Sequence, residues 1–484
     1  MDIYVLAGFL VHFGAAIWAI YHNLLFKRDT RAALSWIMIC LLVPYLGPLT
    51  YYLFGINRIQ RRAQGLKRGL LAVAYEIADH KPAKHTPESL TETQSSVTAG
   101  AIPYNAKLAR IGYAVSGRNL VNGNQVSALH NGDAVYPAML LAIENATKCV
   151  YLTSYIFKSD RIGKRFIDAL SAARERGVDV KVIVDGVGNL YSFRRSTTLL
   201  RNKGLKVVQF LPPTLIPPSV HINLRNHRKI LTVDNTHAFI GGMNISDDNL
   251  DYPKRLRSVT DMHFEVSGPV VDQLTSLFNY DWHYAHGHDA ATVVCAISPN
   301  TGDMACRLIP DGPDESLDAL AVTIQTVISS ATERVVIMTP YFLPSREMLS
   351  AIQSAAIRGV TVQIVLPLKN NLFYMHWANR NLLAELLNWG VEIYYQPAPF
   401  CHTKLLCVDR SYSLIGSANL DQRSLRLNFE LGLEVFSKRL NTQLVDHVHE
   451  VIQRSTKVTY QQLASRSVLV RLRDSLVSMM SPYL

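Results

Sequence analysis

The sequence lacks the features of a small secreted or metal-stapled protein. Its six cysteines (Cys40, Cys149, Cys295, Cys306, Cys401, Cys407) form no C-x-x-C pair in 484 residues. That spacing argues against a disulfide framework or a zinc ribbon and suits a reducing compartment. Charged residues are scarce, 18% against 48% hydrophobic, which excludes a disordered or collagen-like chain. Acids are scarcer than bases: 38 Asp plus Glu against 49 Lys plus Arg leave a net charge of +11. Such an excess favours polyanionic partners, either nucleic acid or an anionic membrane. The length suits two domains plus extras.

Residues 3–26 and 32–56 contain no formal charge. Each run exceeds the roughly 20 residues that a helix needs to span a bilayer. A signal peptide does not fit: no basic residue precedes the first run, the run is too long, and a second follows at once. The runs predict an N-terminal transmembrane helical hairpin. Pro44, Gly47 and Pro48 interrupt its second arm, which is then kinked or re-entrant. Lys27, Arg28 and Arg31 lie between the runs. Arg58, Arg61, Arg62, Lys67 and Arg68 follow them with no acid in between. The larger cluster favours the cytoplasmic side for the rest of the chain and attracts anionic headgroups. A membrane is therefore the expected partner, and nucleic acid is not. The polar stretch HKPAKHTPESLTETQSSVTAG reads as a linker. The expected division is an anchor over 1–70, a linker over 71–105, and globular domains over 106–290 and 291–484.

The globular part repeats itself. The apolar run CVYLTSYIF (149–157) matches VVIMTPYFL (335–343), and Ala146-Thr147 and Ala331-Thr332 stand just before the two runs. Each run precedes a helical pattern ending in Arg-Gly-Val, an apolar strand, and a second helix ending at Gly204 or Gly390. Alternating strands and helices predict two duplicated α/β domains with largely parallel sheets.

The copies share one polar pattern. His227-Arg-Lys229 is followed four residues later by Asp234, and His402-Thr-Lys404 likewise by Asp409. Asn244 and Asn419 each follow their histidine by 17 residues, behind Gly241-Gly242 and Gly416-Ser417. A single H-x-K-x4-D is weak, but two in matching places of a repeat are specific. Imidazole can attack phosphorus or move a proton near neutral pH. Lysine and asparagine supply donors to phosphate oxygens, and Ser417 is a further candidate donor. Two copies make one shared site: one histidine attacks, the other protonates the leaving alcohol. The pattern calls for no metal and no cofactor. Lysine and asparagine neighbours disfavour zinc, and Cys401 and Cys407 complete no ligand set with His402.

These motifs, with RNHRKILTVD (225–234), GGMNISD (241–247), HTKLLCVD (402–409) and GSANLDQRS (416–424), resemble the phospholipase D superfamily and, within it, the bacterial cardiolipin synthases. The resemblance covers nearly the whole chain. It implies two phospholipase D-like domains with a shared active site behind the membrane hairpin. It implies phosphatidyl transfer between two phosphatidylglycerol molecules, giving cardiolipin and glycerol through a phosphohistidine. A bacterial inner membrane location, multi-pass, with the catalytic domains on the cytoplasmic side, goes with it. The catalytic set is His227, Lys229, Asp234, His402, Lys404 and Asp409, with the two aspartates closing each motif as structural hydrogen-bond partners. The resemblance favours His227 as nucleophile and His402 as acid and base. It further implies that an acid after each asparagine orients an imidazole, namely Glu430 and Asp261; a surface ion pair is the alternative for either. A membrane-bound hydrolase or another phosphatidyltransferase, and a non-catalytic membrane scaffold, are the competing functions. The oligomeric state is open.

Two segments stand apart. The first copy carries 11 extra residues in FLPPTLIPPSVHINL (210–224), either a flap touching acyl chains or a buried rigid loop. Leu469, Leu472, Leu476 and Met479 recur at helical spacing beside Arg466 and Arg473, either as an interfacial helix or as packing onto the second domain.

Overall fold

The computed structural model describes residues 3–26, 30–55, 103–192, 194–213, 224–251, 258–286, 298–313 and 317–479. The basic cluster at 58–68, most of the linker and the centre of the proline-rich insertion lie outside them. The chain forms two compact units, Met1–Lys67 and Arg68–Leu484.

The first unit is helical: Ile3–Phe26, Thr30–Leu42 and Leu46–Thr50, ending in a π turn at Tyr51–Gly55. The chain breaks between Leu42 and Leu46, where Pro44 cannot continue a helix and Tyr45 takes a φ of 57°. Polarity is inverted here. His12, His22 and Asn23 are buried, whereas Leu10, Val11, Phe13, Ile17 and Leu24 are exposed. The buried polar groups find partners: His22 Nδ1 lies 2.9 Å from the Tyr51 hydroxyl, Asn23 Nδ2 donates to Ala33 O, and Tyr45 N–H donates to His12 Nδ1. Among the described residues no helix is long and apolar enough to cross a membrane. The unit is a set of apolar helices, and the expected transmembrane hairpin is not shown.

The second unit is built on one sheet of 15 strands. From its middle outwards the first half runs Val121–His130, Met262–Ser267, His237–Gly241, Ile230–Val233, Cys149–Ser154, Asp179–Asp185 and Lys206–Phe210. The second half mirrors it: Met304–Asp311, Glu430–Phe436, Tyr412–Gly416, Leu405–Val408, Arg334–Met338, Thr361–Pro367 and Glu392–Gln396, with Thr456–Lys457 added at the edge. The halves join where Val121 pairs with Cys306 and Asn124 with Met304, across a bulge. The duplication expected from the sequence is therefore present, as two α/β halves of one compact body.

The expectation of largely parallel sheets is corrected. Within the sheet only Cys149–Ser154, Asp179–Asp185 and Lys206–Phe210, and in the other half Arg334–Met338, Thr361–Pro367 and Glu392–Gln396, run parallel to one another; the edge strand Thr456–Lys457 and the pairings across the centre are antiparallel. The cause is the short connection after each H-x-K strand. Asp234, Asn235 and Asp409 hold positive φ, so the chain turns back as a hairpin instead of crossing over. Helices cover both faces. Val270–His286 and Lys438–Gln453 pack on a core shared across the join. The opposite face carries a separate core for each half.

The motif aspartates explain the repeated Ala-Thr pairs. Asp234 accepts hydrogen bonds from Thr147 N–H, Thr147 Oγ1, Lys148 N–H and Cys149 N–H, at 2.7–2.9 Å. Asp409 accepts from Thr332 N–H, Thr332 Oγ1, Glu333 N–H and Arg334 N–H. Each locks the hairpin to the start of the neighbouring strand. Asp409→Ala should leave three backbone donors unpaired and cost roughly 1–3 kcal/mol. Urea unfolding in detergent checks this. Folded protein should retain its turnover number, and a folded but inactive variant would contradict the assignment.

Candidate active site

Each H-x-K segment leads into a wholly buried strand, ILTV or LLCV, so its backbone is held in extended form. The lysines fold back on their own segments: Lys229 Nζ donates to His227 O at 2.7 Å and Lys404 Nζ to His402 O at 2.6 Å. The histidine side chains keep only 12% and 14% of their surface exposed.

The orienting acids are exchanged between the halves. His227 Nδ1 lies 2.8 Å from Glu430 Oε1, and His402 Nδ1 lies 3.0 Å from Asp261 Oδ2. The main chain enforces the exchange. His227 N–H donates to Phe429 O and Phe429 N–H to Arg225 O; His402 N–H donates to Thr260 O, beside a short parallel pairing of Phe400–Cys401 with Val259–Thr260. The accepting carbonyl is in each case the residue just before the carboxylate. The register that seats a histidine therefore seats its partner acid too. A carboxylate at Nδ1 fixes the tautomer and leaves Nε2 as the reactive nitrogen.

Electrostatics distinguishes the two sides. Burial, then the Lys229, Lys404 and Arg423 cations, holds the His227 imidazolium well below the ordinary histidine range. Burial and Lys404 pull His402 down to about 4, against the opposing pull of Asp261. Burial lowers Lys229 to about 7 and Lys404 to about 8, despite Glu430 and Asp261 nearby. Glu430 is pushed up to about 7 by burial. For Asp261, burial is outweighed by His402 and Lys404, and its carboxyl stays below the usual range. Each lysine thus acts on groups of both halves, which places six titratable side chains around one centre. Two neutral imidazoles and two lysines poised to charge suit a singly charged phosphodiester.

The other expected donors differ from one another. Asn244 accepts Ile156 N–H on Oδ1, which leaves its NH2 end for a ligand. Asn419 Nδ2 donates to Ser424 Oγ at 3.1 Å, and its Oδ1 is buried without a partner among the described residues. Ser417 is not placed as a phosphate donor: its hydroxyl donates to Glu430 Oε2 at 2.5 Å and accepts Leu431 N–H. Asp234 and Asp409, included in the catalytic set above, bond to the strand starts and touch none of the reacting groups. Among the described residues no group of three or more His, Cys, Asp or Glu is placed to hold a metal ion.

Tyr155 and Tyr341 were missed from the sequence. Their rings stand 5.0 Å from His227 and 6.5 Å from His402. The signal was available, since both tyrosines occupy the same place in the repeated run. The strands end at Ser154 and Met338, and the tyrosines beyond them turn towards the histidines. Arg228 was also missed. It is buried, ion-paired with Asp281, and donates to Glu430 O and Asp311 O across the halves.

Residues 139–282 and 324–454 match the family model described as cardiolipin synthase, PLD-like domain, and 14–55 match a phospholipase D-nuclease N-terminal model. A cardiolipin synthase of Clostridium perfringens (strain SM101) is 30% identical over 464 residues, covering 94% of this chain and 95% of that one. The major cardiolipin synthase of Bacillus subtilis (strain 168) is 29% identical, covering 95% of each. A phosphatidylserine synthase from Haemophilus influenzae superposes with a TM-score of 0.62 at 15% identity, over 78% of this chain and all of that one, and so shares its fold.

The geometry yields two expectations. A Cβ on Gly242 would lie 2.7 Å from Asp261 Oδ2 and 3.0 Å from Lys404 Nζ. Gly242→Ala should therefore displace the acid behind His402 and lower kcat by about 10²-fold; single-turnover kinetics on the folded variant would show it, and an unchanged kcat would not fit. The second concerns pH. Glu430 ionises only above about 7, while Lys229 loses its charge above about 7 and Lys404 above about 8. kcat/KM should therefore peak near 7, rising with Glu430 on the acid side and falling with the two lysines on the alkaline side. In Glu430→Gln the acid limb should vanish from the pH–rate profile.

Proposed function

The chain belongs to the cardiolipin synthase family with phospholipase D-like domains and is a phosphatidyltransferase, and from that premise we propose how its residues divide the work. The observation that carries the reading is the crossed pairing: two histidines, each held by an acid of the other half, around two shared lysines.

The phosphate of a first phosphatidylglycerol is held by Lys229, Lys404 and the Asn244 NH2, with Asn419 alongside. Its negative charge raises the lysines back towards full protonation. His227, neutral and with Glu430 at Nδ1, attacks phosphorus through Nε2. The bond to the glycerol oxygen breaks, and His402, which takes up a proton from solvent as the phosphate anion binds beside it, gives that proton to the oxygen through Nε2. Ionised Asp261 stabilises the His402 cation that this step requires, which favours His402 over His227 as the acid. Glycerol leaves. The terminal hydroxyl of a second phosphatidylglycerol then passes its proton to His402 and attacks phosphorus. The P–N bond breaks, and cardiolipin forms. Residues 106–290 and 291–484 each supply half of this centre.

We also place the N-terminal helices in the bacterial inner membrane as a hairpin, with the catalytic halves on the cytoplasmic side. Apolar side chains facing outward and bonded polar ones facing inward support a lipid environment, since water would select the reverse. The basic residues at 58–68 support the orientation.

Labelled phosphatidylglycerol as the sole lipid should give cardiolipin and glycerol with the purified chain. His227→Ala and His402→Ala should each lose at least about 10³-fold in rate. His402→Ala should still trap a phosphatidyl adduct on His227 when the leaving group needs no proton. An adduct on His402 in the parent enzyme would reverse the roles, and phosphatidic acid as the main product would replace transfer by hydrolysis.

A further inference from the structure

The C-terminal helix Val468–Met479 has two apolar faces. One packs on helix Phe373–Leu387, where Val477 joins a cluster with Leu343, Met375, Ala378, Tyr341, Leu372 and Tyr374. Buried Asp474 pins that face through Arg380, Arg466 and Arg473. The opposite face carries Leu469, Leu472, Leu476 and Met479, which are 61–79% exposed. Packing therefore accounts for one face only and leaves four large side chains in water.

The position of this helix relates it to the catalytic centre. The two helices run antiparallel: Asp474 meets Arg380 and Ser475 meets Asn381, while Val477 packs against the cluster of Leu343, Met375 and Ala378. The end bearing Leu476 and Met479 thus lies towards the Leu343 cluster, against which Tyr341 also packs, and the Tyr341 ring stands 6.5 Å from His402. Phe373, at the start of the partner helix, is 63% exposed. Segment 370–371 is tied to the same corner by Asn370 Nδ2 donating to Pro340 O and Tyr341 OH donating to Asn371 Oδ1. The other half repeats the arrangement. Tyr191 and Leu190 are 60% and 51% exposed, and Tyr191 lies against Tyr155, whose ring faces His227. Exposed apolar side chains of both halves thus adjoin the aromatic rings that stand at the histidines, and exposed cations neighbour them in sequence: Arg194 and Arg195 on one side, Lys369 and Arg471 on the other. Segments 187–192 and 368–377 contain no acid, and the single acid of the C-terminal helix is buried.

We propose that this rim, from Leu190 and Tyr191 through Phe373 to Leu472, Leu476 and Met479, docks on the surface of an anionic bilayer and seats the catalytic centre against it. The commitment to a lipid surface rests on the mixture of apolar and cationic side chains and on their continuity with a centre that acts on lipid phosphate. It builds on the function proposed above. Docking lets a lipid's phosphate reach the histidines while its acyl chains stay in the membrane. Separately from any N-terminal attachment, it fixes which side of the catalytic body faces the bilayer.

The test uses the full chain in vesicles of phosphatidylglycerol and phosphatidylethanolamine. Leu472→Ser with Leu476→Ser should lower kcat/KM on vesicles about tenfold. The same pair should leave activity on dispersed short-chain phosphatidylglycerol within about twofold, since it touches nothing in the centre. Equal loss on both substrates, or no loss on vesicles, would overturn the proposal. A fluorophore on Leu476→Cys, in a chain with Cys295→Ser, should be quenched by nitroxide lipid, whereas one on Glu333→Cys, by the Asp409 hairpin, should not. Equal quenching at both sites, none at Leu476→Cys, or a signal lost on diluting protein within the bilayer (a second copy as occupant) would also overturn it. Were the parent enzyme to make no cardiolipin on either substrate, the functional reading would fail, and the quenching would still decide docking.

Discussion

Each histidine is held by the half of the molecule it does not belong to, and most of the catalytic geometry depends on that exchange. The bond from His227 N–H to Phe429 O fixes the distance from His227 to Glu430, and the bond from His402 N–H to Thr260 O does the same for Asp261. Neither half can form a working imidazole–carboxylate pair alone. The seam between Val121–His130 and Met304–Asp311 therefore does more than close the sheet. Arg228 reinforces it from within: its guanidinium satisfies Asp281 in its own half and two carbonyls of the other. An arginine buried to this degree is stabilised because each of its three guanidinium nitrogens meets an oxygen.

The same crowding sets the chemistry. Two lysines, two histidines and two acids share a volume from which water is largely excluded. Burial opposes charge on all of them, and the lysines oppose it on the histidines. The empty centre is therefore close to neutral and ready for an anion. A phosphodiester brings the missing negative charge, and the lysines can then recover their protons. Part of the binding free energy is thus stored as suppressed ionisation of the free enzyme.

Much of this was legible in the residues. The duplication, the H-x-K pairs and the role of Asp234 and Asp409 follow from spacing, and the Ala-Thr repeats mark where those aspartates bond. Helix ends at Gly177, Gly204, Gly359 and Gly390 were visible because each adopts positive φ after its helix. The strand directions were not, because alternation of strand and helix says nothing about the short hairpins that reverse the chain. The exchange of acids was not legible either: Glu430 follows Asn419 in sequence, and only a contact across 203 residues assigns it to His227. Ser417 looked like a phosphate donor because a hydroxyl beside the motif has no visible partner until Glu430 is brought over it. The two-faced C-terminal helix was legible as a pattern, but packing and exposure were offered as alternatives, and the structure has both.

The shared sheet has a consequence for direction. Two identical subunits meeting on a true twofold axis would present two indistinguishable histidines, and either could begin the reaction. Joining the halves in one chain removes that equivalence. One carboxylate is a glutamate that burial keeps reluctant to ionise, against the pull of the Ser417 hydroxyl; the other is an aspartate, already charged. That difference in ionisation gives the centre a polarity, a forward and a reverse end, which an exactly symmetric assembly could not hold at rest.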